Sequence, residues 1–208
     1  MALQYYVIDT ETSGLDSKHL HEICEISIIR CSDRFQLSKT IKCETPQTAS
    51  FDALRITGKT MADLELGEVK ESVVESCNKF FEQDGLTSAH RVIVAHNAAF
   101  DSRFLKKLWE KCNTRFPADM FVCTMQMCRA YLKAMGDKKP KVSLDAVLDK
   151  FALKKYAAHT AKGDSRSTYL LWKELVENIK FDYLPFIKNE PHMIGGEDNE
   201  ALDPDLLD

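Results

Sequence analysis

Residues 5–15 read YYVIDTETSGL, and they indicate the architecture of the chain more clearly than any other segment. Tyr5 to Ile8 have high strand propensity and lead directly into a polar run, which predicts a buried strand that ends at the first carboxylate. Asp9 and Glu11 are two residues apart, so on a strand their side chains lie on the same face. Burying two carboxylates in a protein core is unfavourable, because each charge needs a partner. Taken alone, the pair also fits a solvent-exposed turn.

The segments that follow predict a mixed sheet flanked by helices. Residues 23–31 and 35–43 favour two further strands, which would form an antiparallel meander with the first. Two short apolar strands are predicted at residues 91–95 and 122–123, which gives five strands. Apolar residues at helical spacing predict helices, with residues 61–65, 69–81, 100–108, 125–135, 144–151 and 164–176 as the segments. Strands first, and then strands alternating with helices, are typical of a single α/β domain.

Composition indicates a globular protein of a reducing compartment. Apolar residues make up 44% and charged residues 29% of the 208 residues. The seven cysteines contain no C-x-x-C pair, so neither a disulfide framework nor a zinc site is indicated. With no secretory signal and no apolar run of membrane-spanning length, we expect a cytoplasmic protein without membrane association.

Charge is distributed unevenly along the chain. Residues 189–208 carry seven acidic side chains and no Lys or Arg, and without them the formal net charge of −4 becomes +3. We therefore expect a folded domain over residues 1–182 and an acidic, disordered tail over residues 183–208. The tail could dock a protein partner, although an inert solubilising tail is the simpler interpretation. Residues 129–166 carry ten Lys or Arg against four Asp, which suits either a solvated surface or a phosphate-attracting rim.

Two further polar motifs follow the first. Residues 94–101 read VAHNAAFD, in which a strand leads into a helix whose first turn carries Asp101. Residues 159–164 read HTAKGD, a loop between His159 and Asp164 that leads into the last helix. Each has an ordinary structural explanation: an acid at a helix N-terminus, a capping residue, or a structural histidine.

Taken in this order, D-x-E, H-N-x-x-F-D and H-x4-D resemble the motifs of the DEDDh exonucleases of the DnaQ-like superfamily. The detail is most similar to exonuclease X and to the group of the TREX enzymes and the DNA polymerase III proofreading subunit. The resemblance extends to residues 22–26, to residues 55–58, which look like the family's I-T-G loop, and to residues 122–129, and it covers roughly residues 3–178. Many members carry an aspartate where this chain has Cys123, a position outside the metal ligands. The resemblance implies a ribonuclease-H-like fold.

The resemblance also implies a metal site and a general base. The implied metal ligands are Asp9, Glu11, Asp101 and Asp164. The implied catalytic residues are these four acids and His159. Two Mg²⁺ or Mn²⁺ ions, about 3.5–4 Å apart, would offset the repulsion between the four carboxylates. His159 would take the proton of the attacking water, from a flexible loop that closes over substrate.

The 3′-terminal nucleotide is expected next to the first two motifs. Gly14 would let backbone approach a sugar or base. Ile56 and Phe100 fit a stacking role or ordinary core packing, and Asn97 fits a sugar contact or a loop cap. The predicted substrate-binding residues are Thr10, Thr12, Ser13, Gly14, Leu15, Ile56, His96, Asn97 and Phe100.

The predicted function is a metal-dependent 3′→5′ exodeoxyribonuclease that releases nucleoside 5′-monophosphates in repair, proofreading or degradation. An exoribonuclease is the first alternative, because these motifs do not indicate whether the site accepts or excludes the 2′-hydroxyl of RNA. A non-catalytic nucleic-acid-binding or polymerase-docking module is the second. It is disfavoured because all four acids and His159 are present.

Overall fold

A computed structural model describes residues 3–16 and 20–189. Its strands are β1 (Gln4–Thr12), β2 (Ile23–Arg30), β3 (Gln36–Thr40), β4 (Arg91–Ala95), β5 (Met120–Cys123) and β6 (Lys188–Asn189). Its α-helices are α1 (Phe51–Thr57), α2 (Met61–Leu64), α3 (Lys70–Glu82), α4 (Ala98–Lys111), α5 (Thr124–Ala134), α6 (Leu144–Lys150) and α7 (Ala161–Lys173). Thr60 caps α2 with a reciprocal capping box, in which its side chain and that of Asp63 each accept a backbone N–H.

The strands form one mixed sheet in the order β3-β2-β1-β4-β5-β6. β1 pairs antiparallel with β2 and parallel with β4, so the strand that carries Asp9 and Glu11 lies inside the sheet. The predicted antiparallel meander of the first three strands is confirmed. β4 continues parallel into β5, which places the carboxyl ends of β1, β4 and β5 along one edge.

Alternation along β1 separates two cores. Tyr6 and Ile8 pack on one face with side chains of α3 and α4, including Phe81 and Leu105. Val7 packs on the other face with side chains of α5, α6 and α7. Because successive side chains of a strand point to opposite faces, the sheet has helices packed on both sides. The predicted α/β class with a ribonuclease-H-like sheet is confirmed.

Three expectations need correction. The sheet has six strands instead of five, because Lys188 and Asn189 pair with β5. The segment after residue 182 does not begin a tail at once: Tyr183, Phe186 and Ile187 pack against the core, and the Tyr183 hydroxyl bonds that of Tyr5. The rest of the predicted tail, residues 190–208, lies outside the described residues.

The third correction concerns residues 55–58, which are not a loop. They form the last turn of α1 and its C-cap, where Gly58 adopts a left-handed φ of 66°. None of the helices in the described part of the chain combines the length and apolar character that crossing a membrane demands.

Candidate active site

Asp9 and Glu11 extend from the same face of β1, close to the point where the β1–β2 ladder becomes irregular after Glu11. α7 packs across β1 and β2 and brings Asp164 to them from its first turn. Asp9, Glu11 and Asp164 each offer a carboxylate oxygen, and these oxygens lie within 4.8 Å of one another. The three acids therefore form a group that could hold a divalent cation through oxygen ligands.

Asp101 approaches the same place from the other side of the sheet. It lies in the first turn of α4, is only 4% exposed, and accepts a hydrogen bond of 2.8 Å from the Thr10 hydroxyl. Among the neighbouring charges, Asp101 does most to raise the pKa of Asp9. Four acids from three separated segments thus meet at one end of β1.

This cluster is unfavourable for ionised carboxylates without a cation. Burial is the main cause of the raised pKa at all four acids. It raises the pKa of Glu11 to about 8, with repulsion from Asp164 and Glu25 adding to the effect. It raises the pKa of Asp101 to about 7 and that of Asp164 to about 6. A bound cation would favour the charged forms, so the donor set and its charge fit a divalent metal.

His159 lies beside this cluster, in a tightly folded turn before α7. Its backbone has a φ of 58°, its side chain is exposed, and its N–H donates to Asp164 Oδ2 at 2.9 Å. Thr160 caps the helix by accepting from the N–H of Gly163. The turn is so close that a Cβ on Gly163 would lie 1.8 Å from the Ala157 carbonyl oxygen. The predicted loop is a compact turn that leads into the capped start of α7, and His159 lies at the surface there.

A cleft of about 540 Å³ opens beside the acids. Eight of the nine predicted substrate-binding residues line it: Thr10, Thr12, Gly14, Leu15, Ile56, His96, Asn97 and Phe100. Leu15 is 49% and Ile56 40% exposed, so neither serves mainly as core packing. Phe100 does both, since it lines the cleft and packs on Phe104 with ring centroids 4.9 Å apart.

Several side chains of the predicted substrate-binding set also make hydrogen bonds within the protein. Ser13 is 2% exposed, and its Oγ accepts from the N–H of Glu22, so the structure gives it a supporting role. The Thr12 hydroxyl donates to the Gly14 carbonyl, and the Thr10 hydroxyl donates to Asp101. Asn97 occupies the N-cap position of α4 with a φ of 75°, but its side chain makes no capping hydrogen bond, so the predicted sugar contact stays a prediction.

His96 is also held on both sides of its ring. Its Nε2 lies 2.8 Å from the Val142 carbonyl oxygen and its Nδ1 lies 2.9 Å from Thr124 Oγ1. A carbonyl can only accept, so Nε2 carries the proton and Nδ1 accepts from the Thr124 hydroxyl. Burial lowers the pKa of His96 to about 4, which keeps the ring neutral. Its ring therefore joins the β4–α4 turn to the start of α5 and to the segment before α6, while the residue also lines the cleft.

Three features of the site were not among the predicted site residues. His21 lines the cleft, and a Cβ on Gly14, whose φ is 157°, would lie 2.5 Å from its ring. What approaches Gly14 is therefore His21, positioned by the Asp16 N–H that donates to its Nδ1. Ser50 and Ala53, around the start of α1, form part of the wall. Glu25 and Lys59 form an ion pair beside Glu11.

Comparison with known proteins gives a consistent result. A family model described as an exonuclease of the RNase T type matches residues 6–172. The chain is 31% identical over 205 residues to a PolC-type DNA polymerase III of Thermotoga petrophila, which covers 96% of this chain and 14% of that protein. It spans less than a third of the length of the first curated relatives that it matches.

Two solved structures share the fold. Exonuclease I of E. coli in complex with a dT13 oligonucleotide matches with a TM-score of 0.70 at 17% identity, over 87% of this chain and 43% of that chain. The nuclease domain of 3′hExo, a DEDDh family member bound to rAMP, matches with a TM-score of 0.67 at 15% identity, over 84% of this chain and 92% of that chain.

Proposed function

This chain belongs to the RNase T-type exonuclease family, and from that premise we propose that it is a metal-dependent 3′→5′ exonuclease acting on DNA. The expected products are nucleoside 5′-monophosphates, and the expected setting is repair, proofreading or degradation. The single observation that carries the proposal is the meeting of Asp9, Glu11 and Asp164 within 4.8 Å, at the end of a cleft wide enough for a nucleotide.

The four acids would hold the cations. Asp9, Glu11 and Asp164 supply the oxygens of one group, and Asp101 extends it from the other side of β1. Two Mg²⁺ or Mn²⁺ ions, when bound, would activate a water and stabilise the charge on the attacking and leaving oxygens. The Thr10 hydroxyl donates a hydrogen bond of 2.8 Å to Asp101, and this bond orients the Asp101 carboxylate.

His159 would accept the proton of the attacking water. His159 is exposed beside the acids, and its backbone N–H is held by Asp164, so the residue stays next to the proposed metal site. The terminal base would lie between the apolar walls formed by Leu15, Ile56 and Phe100. Stacking and apolar contact accept any base, which suits degradation without sequence preference.

DNA is the preferred substrate class in this proposal, because the curated relative over 96% of the chain is named as a DNA polymerase and one structural neighbour holds dT13. An exoribonuclease remains the second candidate, since the neighbour 3′hExo holds rAMP. A polymerase partner would accompany a proofreading role. The acidic segment at residues 190–208 is a second candidate contact for a protein partner.

Cleavage of 3′-labelled DNA and RNA oligonucleotides of matched sequence tests the proposal. Single-stranded, blunt and 3′-mismatched substrates are compared with Mg²⁺, Mn²⁺ or EDTA. We expect metal-dependent release of labelled mononucleotide, faster from DNA than from RNA. Absence of metal-dependent cleavage from every substrate would refute the enzymatic proposal, and faster RNA cleavage would move it to the exoribonuclease alternative.

A further inference from the structure

Glu25 is a fifth carboxylate, next to the four acids of the site. It lies on β2 directly opposite Glu11 in the antiparallel register, so the two side chains share a face. Like charges in directly opposite positions destabilise a strand pair. Glu25 accordingly raises the pKa of both Glu11 and Asp9. An acid at this position needs compensation from other contacts.

Both carboxylate oxygens of Glu25 are already engaged. Oε2 accepts a hydrogen bond of 3.2 Å from the backbone N–H of Ala161, and Oε1 forms an ion pair with Lys59 Nζ. The side chains of Lys59 and Glu25 are only 19% and 18% exposed, so water competes weakly for the pair. With both oxygens engaged, Glu25 is poorly placed to serve as a metal ligand.

The Ala161 contact fixes the start of α7. Ala161 is the first residue of that helix, and its N–H is among the backbone donors that a helix N-terminus leaves without an intrahelical partner. A carboxylate there is favoured by the helix dipole as well. Because Ala161 lies two residues after His159 and three before Asp164, this contact sets where both side chains stand relative to Asp9 and Glu11.

The Lys59 contact reaches the opposite wall of the cleft. Lys59 follows Gly58, the C-cap of α1, and α1 carries Ile56 and Thr57 on the cleft wall. The ammonium of Lys59 also lowers the pKa of Glu11, which favours the ionised form of that acid. The Glu25 side chain on β2 therefore joins the α1 wall to the start of α7, directly after the turn that contains His159.

We propose that Glu25, Lys59 and the Ala161 N–H form a brace that positions the His159–Asp164 segment and the α1 wall around the reacting phosphate. This inference rests on the proposed exonuclease function. Glu25 is a positioning residue in it: it holds other groups at the site and contacts neither substrate nor cation. Lys59 offsets the charge of Glu25 and fixes α1 to β2.

Two substitutions at Glu25 separate its contacts. Glu25→Ala removes both, and we expect kcat to fall by about 10–100-fold, the loss expected for a small misplacement of catalytic groups. Amide hydrogen exchange over residues 157–163 should become faster. Glu25→Gln keeps an oxygen for the Ala161 N–H and loses the ion pair, so exchange over residues 157–163 should stay close to that of the wild type. Lys59→Met should mainly raise KM, because it releases the α1 wall.

Lys39→Met is the matched control. Lys39 on β3 also forms a partly buried ion pair, at 2.7 Å with Glu68. It is paired with Ile26, on the sheet face opposite that of Asp9 and Glu11. This variant should lose a similar amount of thermal stability and keep kcat, KM and exchange over residues 157–163. Isotherms of Mn²⁺ binding should show that Glu25→Ala still binds the cation, as expected for a residue that is not a ligand.

The exchange measurement needs no nuclease activity, so it distinguishes failure of the brace from failure of the proposed function. Unchanged exchange over residues 157–163 in Glu25→Ala would overturn the brace even if cleavage were slower. Loss of Mn²⁺ binding in Glu25→Ala would also overturn it, in favour of Glu25 as a ligand. If the wild type cleaves nothing while Glu25→Ala still speeds exchange, the brace stands and the exonuclease proposal fails.

Discussion

The backbone N–H of His159 donates a hydrogen bond to Asp164 Oδ2 at 2.9 Å. The residue proposed as general base and a residue proposed as metal ligand are therefore joined directly, five positions apart on the chain. One oxygen of Asp164 holds the turn, and the carboxylate remains beside Asp9 and Glu11. Movement of the helix cap would displace the proton acceptor and a ligand together.

Replacement of His159 by Asn tests the general base with little disturbance of the backbone. His159 has a φ of 58°, and Asn tolerates this left-handed conformation better than most residues. We expect His159→Asn to lower single-turnover cleavage by about 10²–10⁴-fold. The rise in thermal stability on adding Mn²⁺ should persist. Cleavage at near wild-type rates would assign the base to another group.

Neutralising Asp9 should have opposite effects on stability and activity. Asp9→Asn removes one of four crowded carboxylates, so the metal-free protein should melt at a higher temperature than the wild type. Cleavage should fall below detection, and stabilisation by Mn²⁺ should be lost. Thermal denaturation and cleavage assays check this, with Asp182→Asn, an exposed carboxylate of the segment after α7, as the charge control. A metal-free Asp9→Asn protein less stable than the wild type would contradict the proposed repulsion.

The stability of the metal-free protein should fall as pH rises across the site's titration. Burial and repulsion raise the pKa of Glu11 from 4.5 to about 8, so between these values the folded state binds more protons than the unfolded state. Stability from this group is therefore present below about pH 4.5 and lost as pH approaches 8. Excess Mg²⁺ should reverse the loss, and its stabilising effect should grow over the same interval.

Glu11→Gln isolates this contribution, because glutamine does not titrate. The difference in free energy of unfolding between the wild type and Glu11→Gln, measured by urea denaturation without metal, should widen in favour of the variant from pH 4.5 to pH 8. A difference that stays constant with pH would show that Glu11 ionises normally in the folded protein.

Gly163 should resist replacement despite its place in a helix. Gly→Ala inside a helix ordinarily adds about 1 kcal/mol of stability. Here the new Cβ would lie 1.8 Å from the Ala157 carbonyl oxygen, a backbone atom that cannot move without the turn. We expect Gly163→Ala to cost about 1–3 kcal/mol in unfolding free energy and to slow cleavage about 10²-fold. A higher melting temperature for Gly163→Ala would show that the turn has room for a Cβ at this position.

Much of the fold was predictable because its signals are local. The buried strand before Asp9, the antiparallel meander and the amphipathic helices follow from residue periodicity. The predicted exonuclease family is confirmed by the family model over residues 6–172. β6 was not predictable, because Lys188 and Asn189 have little strand propensity and pair only where β5 offers a free edge. The α1 helix was not predictable, because it has seven residues and none of them is buried, so no apolar periodicity marks it.

The candidate site was also predictable only in part. The four acids carry recognisable spacing, whereas Glu25 and Lys59 depend on the β1–β2 register and on a turn 34 residues later, which no short motif encodes. The motif position of His96 predicts a substrate contact, and the residue does line the cleft. Its ring nitrogens face Val142 and Thr124, partners 46 and 28 residues away that only the folded chain reveals.

The two residues of β6 set a practical limit on how the catalytic region can be produced in isolation. A fragment ended at residue 182 would lack Tyr183 and β6, and it would leave Met120 and Phe121 of β5 with unpaired backbone groups. Bare sheet edges recruit other chains, so such a fragment should associate with itself and precipitate on concentration. Expression vectors for crystallisation or enzymology should therefore extend at least through Asn189.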